Sequence, residues 1–359
     1  MVAPSSKPTP KTVFVVGAGA SQEANLPIGS QLTKSIARVL DIRFEHASRL
    51  ISGDHRIVEA LRAAAGSSDP PSRDISPFLK AGRHIHDAMP QAISIDAFID
   101  SHRGDKQIEL CGKLAIVVTI LEAEAKSYMF VDQFQGDHRL KFVHLENTWF
   151  HSFVQLLTEN CQSADLATRL NSVALVIFNY DRCIEHYLYH AIQNYYAMDA
   201  SEVAQLLQGL EIYHPYGAVG ALPWLNQNNA IDYGAPPNSS QLLRLASQIK
   251  TYTEGTDESS SAVNSIRSIM KTSDKLVFLG FAFHPSNIEL LLPSATSENS
   301  LGEGRRVFGT ALNISQSNTD SIRAKFTAMG VRFVNYIEIR NDLTCSQLFR
   351  EYWRSLSFA

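Results

Sequence analysis

Six short apolar segments occur along the chain, and each predicts a β-strand. They comprise residues 12–16, 173–178, 211–214, 275–283, 306–314 and 331–337, of which 211–214 is the weakest. A continuous apolar run of this length is typical of a strand that is buried on both faces of a parallel sheet. Segments with helical periodicity separate these runs, and strands that alternate with helices predict an α/β fold with a doubly wound parallel sheet.

Residues 43–170 carry mainly helical patterns between the first two predicted strands. The segments 106–134 and 142–160 predict two long helices there, and a helix with an apolar face that includes Ile36 and Val39 precedes them. We therefore predict one domain over 12–359 with residues 43–170 as a helical insert. The Pro- and Ser-rich residues 1–11 predict a flexible tail.

Charge and composition narrow the classes of protein. The formal net charge of −4 and the lack of a long basic run argue against direct nucleic-acid binding. No apolar signal segment opens the chain, and the apolar run 114–121 is far shorter than the ~20 residues that span a bilayer. We expect a cytoplasmic protein with no membrane contact. The four cysteines are Cys111, Cys161, Cys183 and Cys345. We expect them to be free thiols, and their wide spacing argues against a structural zinc site.

The segment "VFVVGAGAS" ends the first predicted strand in two glycines. In doubly wound folds the first strand-to-helix turn receives a phosphate, because glycine lets the ligand approach the backbone and a helix N-terminus offers free N–H groups. Gly17 and Gly19 suit this role, and we expect Ser21 to cap the helix that begins nearby. The strict GxGxxG pattern is not met, since residue 22 is Gln. A tight turn that binds nothing is the alternative.

Polar or small residues follow three further predicted strands. Asn179 and Asp181 come after the strand 173–178, and His214 ends the strand 211–214. Gly280 lies near the end of the predicted strand 275–283, and Asn287 follows that strand. Each residue also has a structural explanation. Asn179 could cap a loop and Asp181 a helix, while His214 could be a hydrogen-bonded core histidine and Gly280 a packing glycine. Ligands of parallel sheets bind at the carboxyl edge, so four such strand ends together predict a binding site there.

Several motifs carry a resemblance to a known family. They are "GAGAS" with Leu26-Pro27, "SIDAFI" (94–99), "TWFHSF" (148–153), "FNYDRCIEH" (178–186), "IYHPYG" (212–217), "FLGFAFHPSN" (278–287) and a looser Leu312-Asn313. In this order they resemble the sirtuin-like family, specifically its bacterial branch of antiphage-defence NAD-consuming effectors. The resemblance implies a Rossmann-like sheet with a helical insert and NAD bound across the strand ends.

The resemblance also implies roles for particular residues. Asn179 and His214 would form the catalytic pair: the amide of Asn179 positions a water or a ribose hydroxyl, and His214 takes a proton near neutral pH. Asp96 of "SIDAFI" either faces the pocket or is a helix N-terminal charge. The NAD-binding set would be Gly17, Ala18, Gly19, Ser21, Pro27, Asp181, Gly280, Phe281, Asn287 and Asn313.

The chain also departs from protein-deacylating sirtuins. Their four-cysteine zinc module cannot be built from these scattered cysteines, and we expect no metal. The expected function is that of an NAD+ glycohydrolase in antiphage defence, which cleaves NAD+ to nicotinamide and ADP-ribose and depletes cellular NAD. A non-catalytic NAD or ADP-ribose sensor is the alternative, and a protein deacylase is a more distant one.

Control of such an activity implies an assembly. We expect activation through a homo-oligomer or a defence partner, such as a DNA-translocating ATPase or a short Argonaute. Contact through residues 43–170 would then order the pocket, which is a population shift that needs a few kcal/mol of differential binding.

Overall fold

Six parallel strands form the central sheet of the computed structural model. The structure describes residues 11–46, 48–67, 73–132, 139–227, 230–250, 254, 260–292, 305–329, 331 and 336–358. Its sheet strands are β1 (Thr12–Val16), β4 (Val173–Ile177), β5 (Glu211–Tyr213), β6 (Lys275–Leu279), β7 (Arg306–Thr310) and β8 (Ile337–Arg340). The order is β5-β4-β1-β6-β7-β8, and all pairings are parallel. Numbered along the sheet strands alone, this is the 3-2-1-4-5-6 order of the Rossmann fold, which confirms the predicted fold class.

The central strand explains why the sheet is buried on both faces. Successive residues of β1 point to opposite faces, so that Val13 and Val15 enter one apolar cluster while Phe14 and Val16 enter the other. Strand β1 pairs in register with β4 on one side and with β6 on the other. A strand in this position needs apolar residues at every site, and its sequence supplies them.

Two predicted strands, 173–178 and 211–214, end one residue early in the structure, and three others differ more. The strand predicted over 275–283 ends at Leu279, because Gly280 has a φ of +55° that leaves the extended conformation. The strand predicted over 306–314 ends at Thr310. The last strand was predicted at 331–337 but begins at Ile337, and residues 332–335 lie outside the described part of the chain, as do residues 1–10 of the predicted tail.

The long connection from β1 to β4 holds helices on both faces of the sheet. These are α1 (Ala18–Ser21), α2 (Gly29–Leu40), α3 (His55–Gly66), α4 (Ser76–Ala88), α5 (Ile95–Ser101), α6 (Lys106–Lys126), α7 (Trp149–Thr158) and α8 (Leu166–Asn171). The helix predicted over 106–134 therefore ends early, and the one predicted over 142–160 begins only at Trp149, where Thr148 caps it. An antiparallel hairpin, β2 (Arg43–Glu45) with β3 (Arg49–Ser52), was not predicted. The division of 43–170 as an insert stays a prediction.

The second half of the chain alternates strands with shorter helices. They are α9 (Cys183–Tyr196), α10 (Ala200–Gln208), α11 (Ser239–Ala246), α12 (Ser261–Thr272), α13 (Pro285–Leu291), α14 (Gln316–Ala328), α15 (Cys345–Glu351) and α16 (Trp353–Leu356). Within the described ranges, no helix combines the length and the apolar character that a bilayer crossing requires.

Candidate functional site at the carboxyl edge of the sheet

A cleft of about 680 Å³ opens where the strands β1, β4, β6 and β7 end. It lies at the junction of β1 and β6, which is where the chain changes direction across a sheet of this order, and ligands of doubly wound sheets bind there. The volume falls within the roughly 300–1,000 Å³ of small-molecule sites. The position and size of the cleft therefore suit a ligand of nucleotide size.

Most of the predicted site residues meet in this cleft, but four do not. The described lining includes Gly17, Ala18, Gly19, Asn179, Gly280, Phe281, Asn287 and Asn313. Ser21, Asp181 and His214 lie behind the lining, within hydrogen-bonding reach of it or of one another. Pro27 instead lines a separate polar cavity of about 590 Å³ between α2 and α6. Contact of these residues with a ligand stays a prediction.

The glycines at the ends of β1 and β6 touch each other. A Cβ on Gly17 would lie 2.6 Å from the carbonyl oxygen of Gly280, and one on Gly19 would lie 2.9 Å from the same atom. A Cβ on Gly280, whose φ is +55°, would lie 2.0 Å from the amide nitrogen of Ala20. Because no side chain fits, close packing of the two strand ends explains all three glycines without a phosphate.

The amide groups of this turn are also used by the protein itself. The N–H of Gly17 donates to Leu279 at 2.9 Å, and the N–H of Gly19 donates to Gly280 at 3.0 Å. The N–H of Ala20 donates to the carbonyl of Gly17. A ligand phosphate would therefore find fewer free donors at this turn than the glycine pattern predicts.

Asn179 places an unpaired acceptor beside the cleft. Its Nδ2 donates to the carbonyl of Gly17 at 3.1 Å and to the hydroxyl of Ser21 at 2.8 Å. A carbonyl only accepts, so this contact fixes which end of the amide is nitrogen. The opposite atom, Oδ1, has no hydrogen-bond partner in the described structure, although the residue is only 5% exposed. A buried acceptor in this state is suited to a donor from a ligand or a water.

Ser21 supports Asn179 rather than capping a helix. It is the last residue of α1, and it makes no cap hydrogen bond, so the predicted role was wrong. Its hydroxyl accepts from Asn179 and lies within hydrogen-bonding reach of Asp181, whose carboxylate accepts from the N–H of Cys183 at 3.2 Å. Burial raises the pKa of Asp181. Asp181 precedes Arg182, the N-cap residue of α9, and accepts from the N–H of the first helical residue, whereas its contact with NAD stays a prediction.

His214 lies next to Asn179, but both of its ring nitrogens face protein acceptors. Nδ1 is 3.2 Å from the backbone carbonyl of Asn179, and Nε2 is 2.7 Å from a carboxylate oxygen of Glu185. Burial alone would lower the pKa of His214, yet the charge and hydrogen bond of Glu185 raise it overall. The ring therefore presents no free nitrogen to the cleft in this arrangement.

Two buried pairs join the turn after β4 to the helices of residues 43–170. The hydroxyl of Tyr180 donates to Asp96 at the start of α5, and burial raises the pKa of that carboxyl. Arg182 forms an ion pair with Glu124 of α6, with contacts of 2.5 and 3.1 Å, and both side chains are almost fully buried. Asp96 thus contacts the turn that carries Asn179 and not the described lining of the cleft.

The sequence interpretation missed the acidic residue of the lining, Glu23. Its carboxylate accepts from the N–H of Trp149 at 2.6 Å and from the N–H of Ser346 at 3.0 Å, so it holds the first turns of α7 and α15 together. Burial raises its pKa. Among the described lining residues none is basic, so binding of an anionic ligand would depend on backbone dipoles. A lone Glu in a turn gives no sequence signal for such a role.

An aromatic wall bounds the same cleft. Phe178 and Phe281 line it with ring centroids 5.1 Å apart, and Tyr216 packs against Phe178 at 5.6 Å. The hydroxyl of Tyr216 donates to Asn287 at 2.6 Å, which fixes another polar group of the lining. Rings in this position offer a flat surface on which a base or a nicotinamide ring can stack.

Metal chemistry and sequence similarity give no further guide to the site. In the described ranges, no three His, Cys, Asp or Glu side chains converge as a metal ion would need, and the four cysteines are free. No protein-family model matches the chain, and no curated protein is significantly similar to it. Function is therefore inferred from the geometry of the cleft, and the sirtuin-like resemblance stays a prediction.

Proposed function

We propose that this protein is an NAD+ glycohydrolase that releases nicotinamide and ADP-ribose. The observation that carries the proposal is the unpaired Oδ1 of Asn179, a buried acceptor on the lining of a cleft at the β1–β6 junction. The motifs that resemble sirtuin-like NAD-consuming effectors support the same choice of substrate. A ribose hydroxyl or the attacking water supplies the donor that this acceptor needs.

The chemistry requires support for a cationic sugar. When the N-glycosidic bond breaks, nicotinamide leaves as a neutral molecule and the positive charge passes to the ribose ring. Asn179, held by Gly17 and Ser21, fixes the ribose or the water without moving during the reaction. The carboxyl group of Asp181 lies behind it, within hydrogen-bonding reach of Ser21, and its ionised form favours the cation.

Regulation follows from the same architecture. The pairs Tyr180–Asp96 and Arg182–Glu124 tie the turn that carries Asn179 to α5 and α6. A homo-oligomer contact, or a defence partner such as a DNA-translocating ATPase or a short Argonaute, that binds residues 43–170 would act on Asn179 through these pairs. In this proposal the partner activates NAD+ depletion in the cytoplasm during antiphage defence.

One observation favours a second candidate, a non-catalytic NAD or ADP-ribose sensor. Both ring nitrogens of His214 are engaged by protein acceptors, so His214 offers the substrate no free nitrogen as a base. A sensor needs the cleft and the acceptor of Asn179 but no base. The two candidates differ in one measurement: both bind NAD+, but only the hydrolase releases nicotinamide.

The test uses a matched pair of asparagines at opposite ends of β4. Asn179→Ala removes the acceptor, whereas Asn171→Ala changes an exposed residue at the other edge of the sheet. We expect the wild type to release nicotinamide, alone or with the product of a neighbouring gene. We expect Asn179→Ala to be slower by about 10²-fold, as for loss of one preorganised polar group, and Asn171→Ala to be unchanged.

The remaining outcomes are equally informative. Equal rates for Asn179→Ala and the wild type would refute the role of the amide. If calorimetric titration shows that NAD+ binds but no condition releases nicotinamide, the sensor replaces the hydrolase.

A further inference from the structure

Glu185 lies inside the motif "FNYDRCIEH", but the sequence assigned it no role. It lies in the first turn of α9, is 5% exposed, and its Oε1 is 2.7 Å from Nε2 of His214. The side chain of His214 is 15% exposed, and its Nδ1 reaches the backbone carbonyl of Asn179. A continuous chain of contacts therefore runs from Glu185 through the imidazole to the residue that faces the cleft.

The donors and acceptors along this series of contacts determine which ring nitrogens of His214 carry a hydrogen. The carbonyl of Asn179 can only accept, so Nδ1 carries a hydrogen. An ionised Glu185 can also only accept, so Nε2 carries a hydrogen as well. The arrangement is satisfied by an imidazolium between two acceptors, and an imidazolium has no lone pair with which to take a proton from a substrate.

We propose that Glu185 is a positioning residue, whose ion pair with His214 holds the backbone carbonyl of Asn179 and so fixes the amide that faces the cleft. This inference rests on the proposed function. It also changes the role that the motif resemblance implies for His214, from a general base to a charged donor that supports Asn179. Water attacks an oxocarbenium-like ribose readily, forming the new C–O bond and releasing a proton to bulk water, so the reaction tolerates the lack of a strong base.

The pH dependence of turnover distinguishes the two roles. Burial lowers the pKa of His214, but contact with Glu185, the carbonyl of Asn179 and the charge of Asp181 together raise this pKa above the ordinary value of 6.5. As pH rises through that pKa, the ring loses one hydrogen and one acceptor loses its donor. A supporting imidazolium therefore loses activity on the alkaline side, whereas a general base loses activity on the acid side.

The experiment compares kcat across pH for the wild type, Glu185→Gln and Glu185→Ala, with Glu59→Gln, an exposed glutamate of α3, as control. In Glu185→Gln the amide can donate to Nε2 of a neutral ring, which keeps Nδ1–H on Asn179. We expect Glu185→Gln to retain kcat and to lose the alkaline decline. We expect Glu185→Ala to lose about 10²-fold in kcat, as for misplacement of a reacting group by about 1 Å.

A second measurement does not depend on turnover. Nitrogen NMR of histidine-labelled protein reports whether both ring nitrogens of His214 are protonated at pH 7. We expect both ring nitrogens to be protonated in the wild type and only one in Glu185→Gln. If both ring nitrogens are protonated but no nicotinamide is released, the ion pair between Glu185 and His214 is supported and only the hydrolase proposal is refuted. A neutral His214, an acid-side decline, or wild-type kcat in Glu185→Ala would overturn the inference.

Discussion

Where β1 and β6 end, backbone packs against backbone; where β4 and β5 end, charged and polar side chains pack against one another. On the first side, Gly17, Gly19 and Gly280 leave no room for a Cβ, and the N–H groups of Gly17 and Gly19 donate across the junction. On the second side, His214 pairs with Glu185, and Arg182 pairs with Glu124, and none of the four side chains is more than 15% exposed. The same edge of one sheet is thus built by two different means.

The difference assigns different tasks to the two sides. Backbone packing has one arrangement and does not respond to protonation, so the β1–β6 side provides a rigid wall for the cleft. Buried ionisable groups respond to pH and to movement of the helices that carry their partners. The β4–β5 side is therefore where chemistry and control are expected, and three substitutions test this division.

The largest expected effect is that of Gly280→Ala on the backbone-packed side. Its Cβ would lie 2.0 Å from the nitrogen of Ala20 and 2.3 Å from the carbonyl carbon of Gly19, at a φ of +55°. Clash and strain together predict a loss of about 3 kcal/mol or more in the free energy of unfolding, or failure to fold. Denaturant unfolding followed by circular dichroism measures it.

Gly66→Ala is the matched control for Gly280→Ala. Nothing lies within 4 Å of the Cβ that it would add at the end of α3, so stability should stay within about 1 kcal/mol of the wild type. A Gly280→Ala protein that is as stable as this control would show that the two strand ends are not rigidly packed, and the comparison would fail.

Arg182→Met should have the next largest effect, on the side-chain-packed half. It leaves the carboxylate of Glu124 buried without its cation, which predicts a loss of about 3–5 kcal/mol. Burial raises the pKa of Glu124, even though Arg182 opposes this, so the folded state binds the proton more tightly than the unfolded chain. Removal of Arg182 raises this pKa further, so the stability deficit should grow as pH rises from the pKa of Glu124 in the folded wild type to its higher pKa in the folded variant.

Denaturant unfolding at several pH values measures the deficit of Arg182→Met. An exposed pair gives the reference: Asp320→Asn, which breaks a 3.0 Å contact with Arg323, should cost at most about 1 kcal/mol. If Arg182→Met costs no more than Asp320→Asn, or if its deficit does not change with pH, the buried charges do not define this half of the edge.

The strands differ in how well sequence predicts them, and burial explains why. The segments 12–16 and 173–178 match β1 and β4 within one residue, because strands in the middle of a covered sheet need apolar residues throughout. Strand β8 lies at the edge, and its residues 337–340 alternate between buried and half-buried positions. Its signature is alternation, so a search for apolar runs placed it too early in the chain.

The candidate site shows a similar limit. Sequence could place Asn179 and His214 at neighbouring strand ends, because the strands themselves were recognisable. It could not assign their partners, since Glu185 is 29 residues from His214 and Glu124 is 58 residues from Arg182. Likewise, the contact between Gly17 and Gly280 depends on the order of the strands, so the local pattern suggested a phosphate turn but could not indicate the close backbone packing.

The smallest expected effect is that of Ser21→Ala, which lies where the two sides meet. Its hydroxyl accepts from Nδ2 of Asn179 at 2.8 Å and is within hydrogen-bonding reach of Asp181, while the carbonyl of Gly17 still holds the amide. We expect a loss of about 1 kcal/mol in stability from one hydrogen bond. Ser172→Ala is the control, because that serine is equally buried at 3% exposure and donates at 2.7 Å to Arg169 at the opposite edge.

Both serine variants should lose similar stability by denaturant unfolding, but only Ser21→Ala should weaken NAD+ binding in calorimetric titration. The reason is that Asn179 loses one of the two contacts that aim its Oδ1 at the cleft, whereas Ser172 supports only the turn before β4. Equal NAD+ affinity in the two variants would mean that Gly17 alone orients the amide. The rigid backbone side would then be sufficient to position the acceptor, and the proposed contribution of the polar side to binding would be refuted.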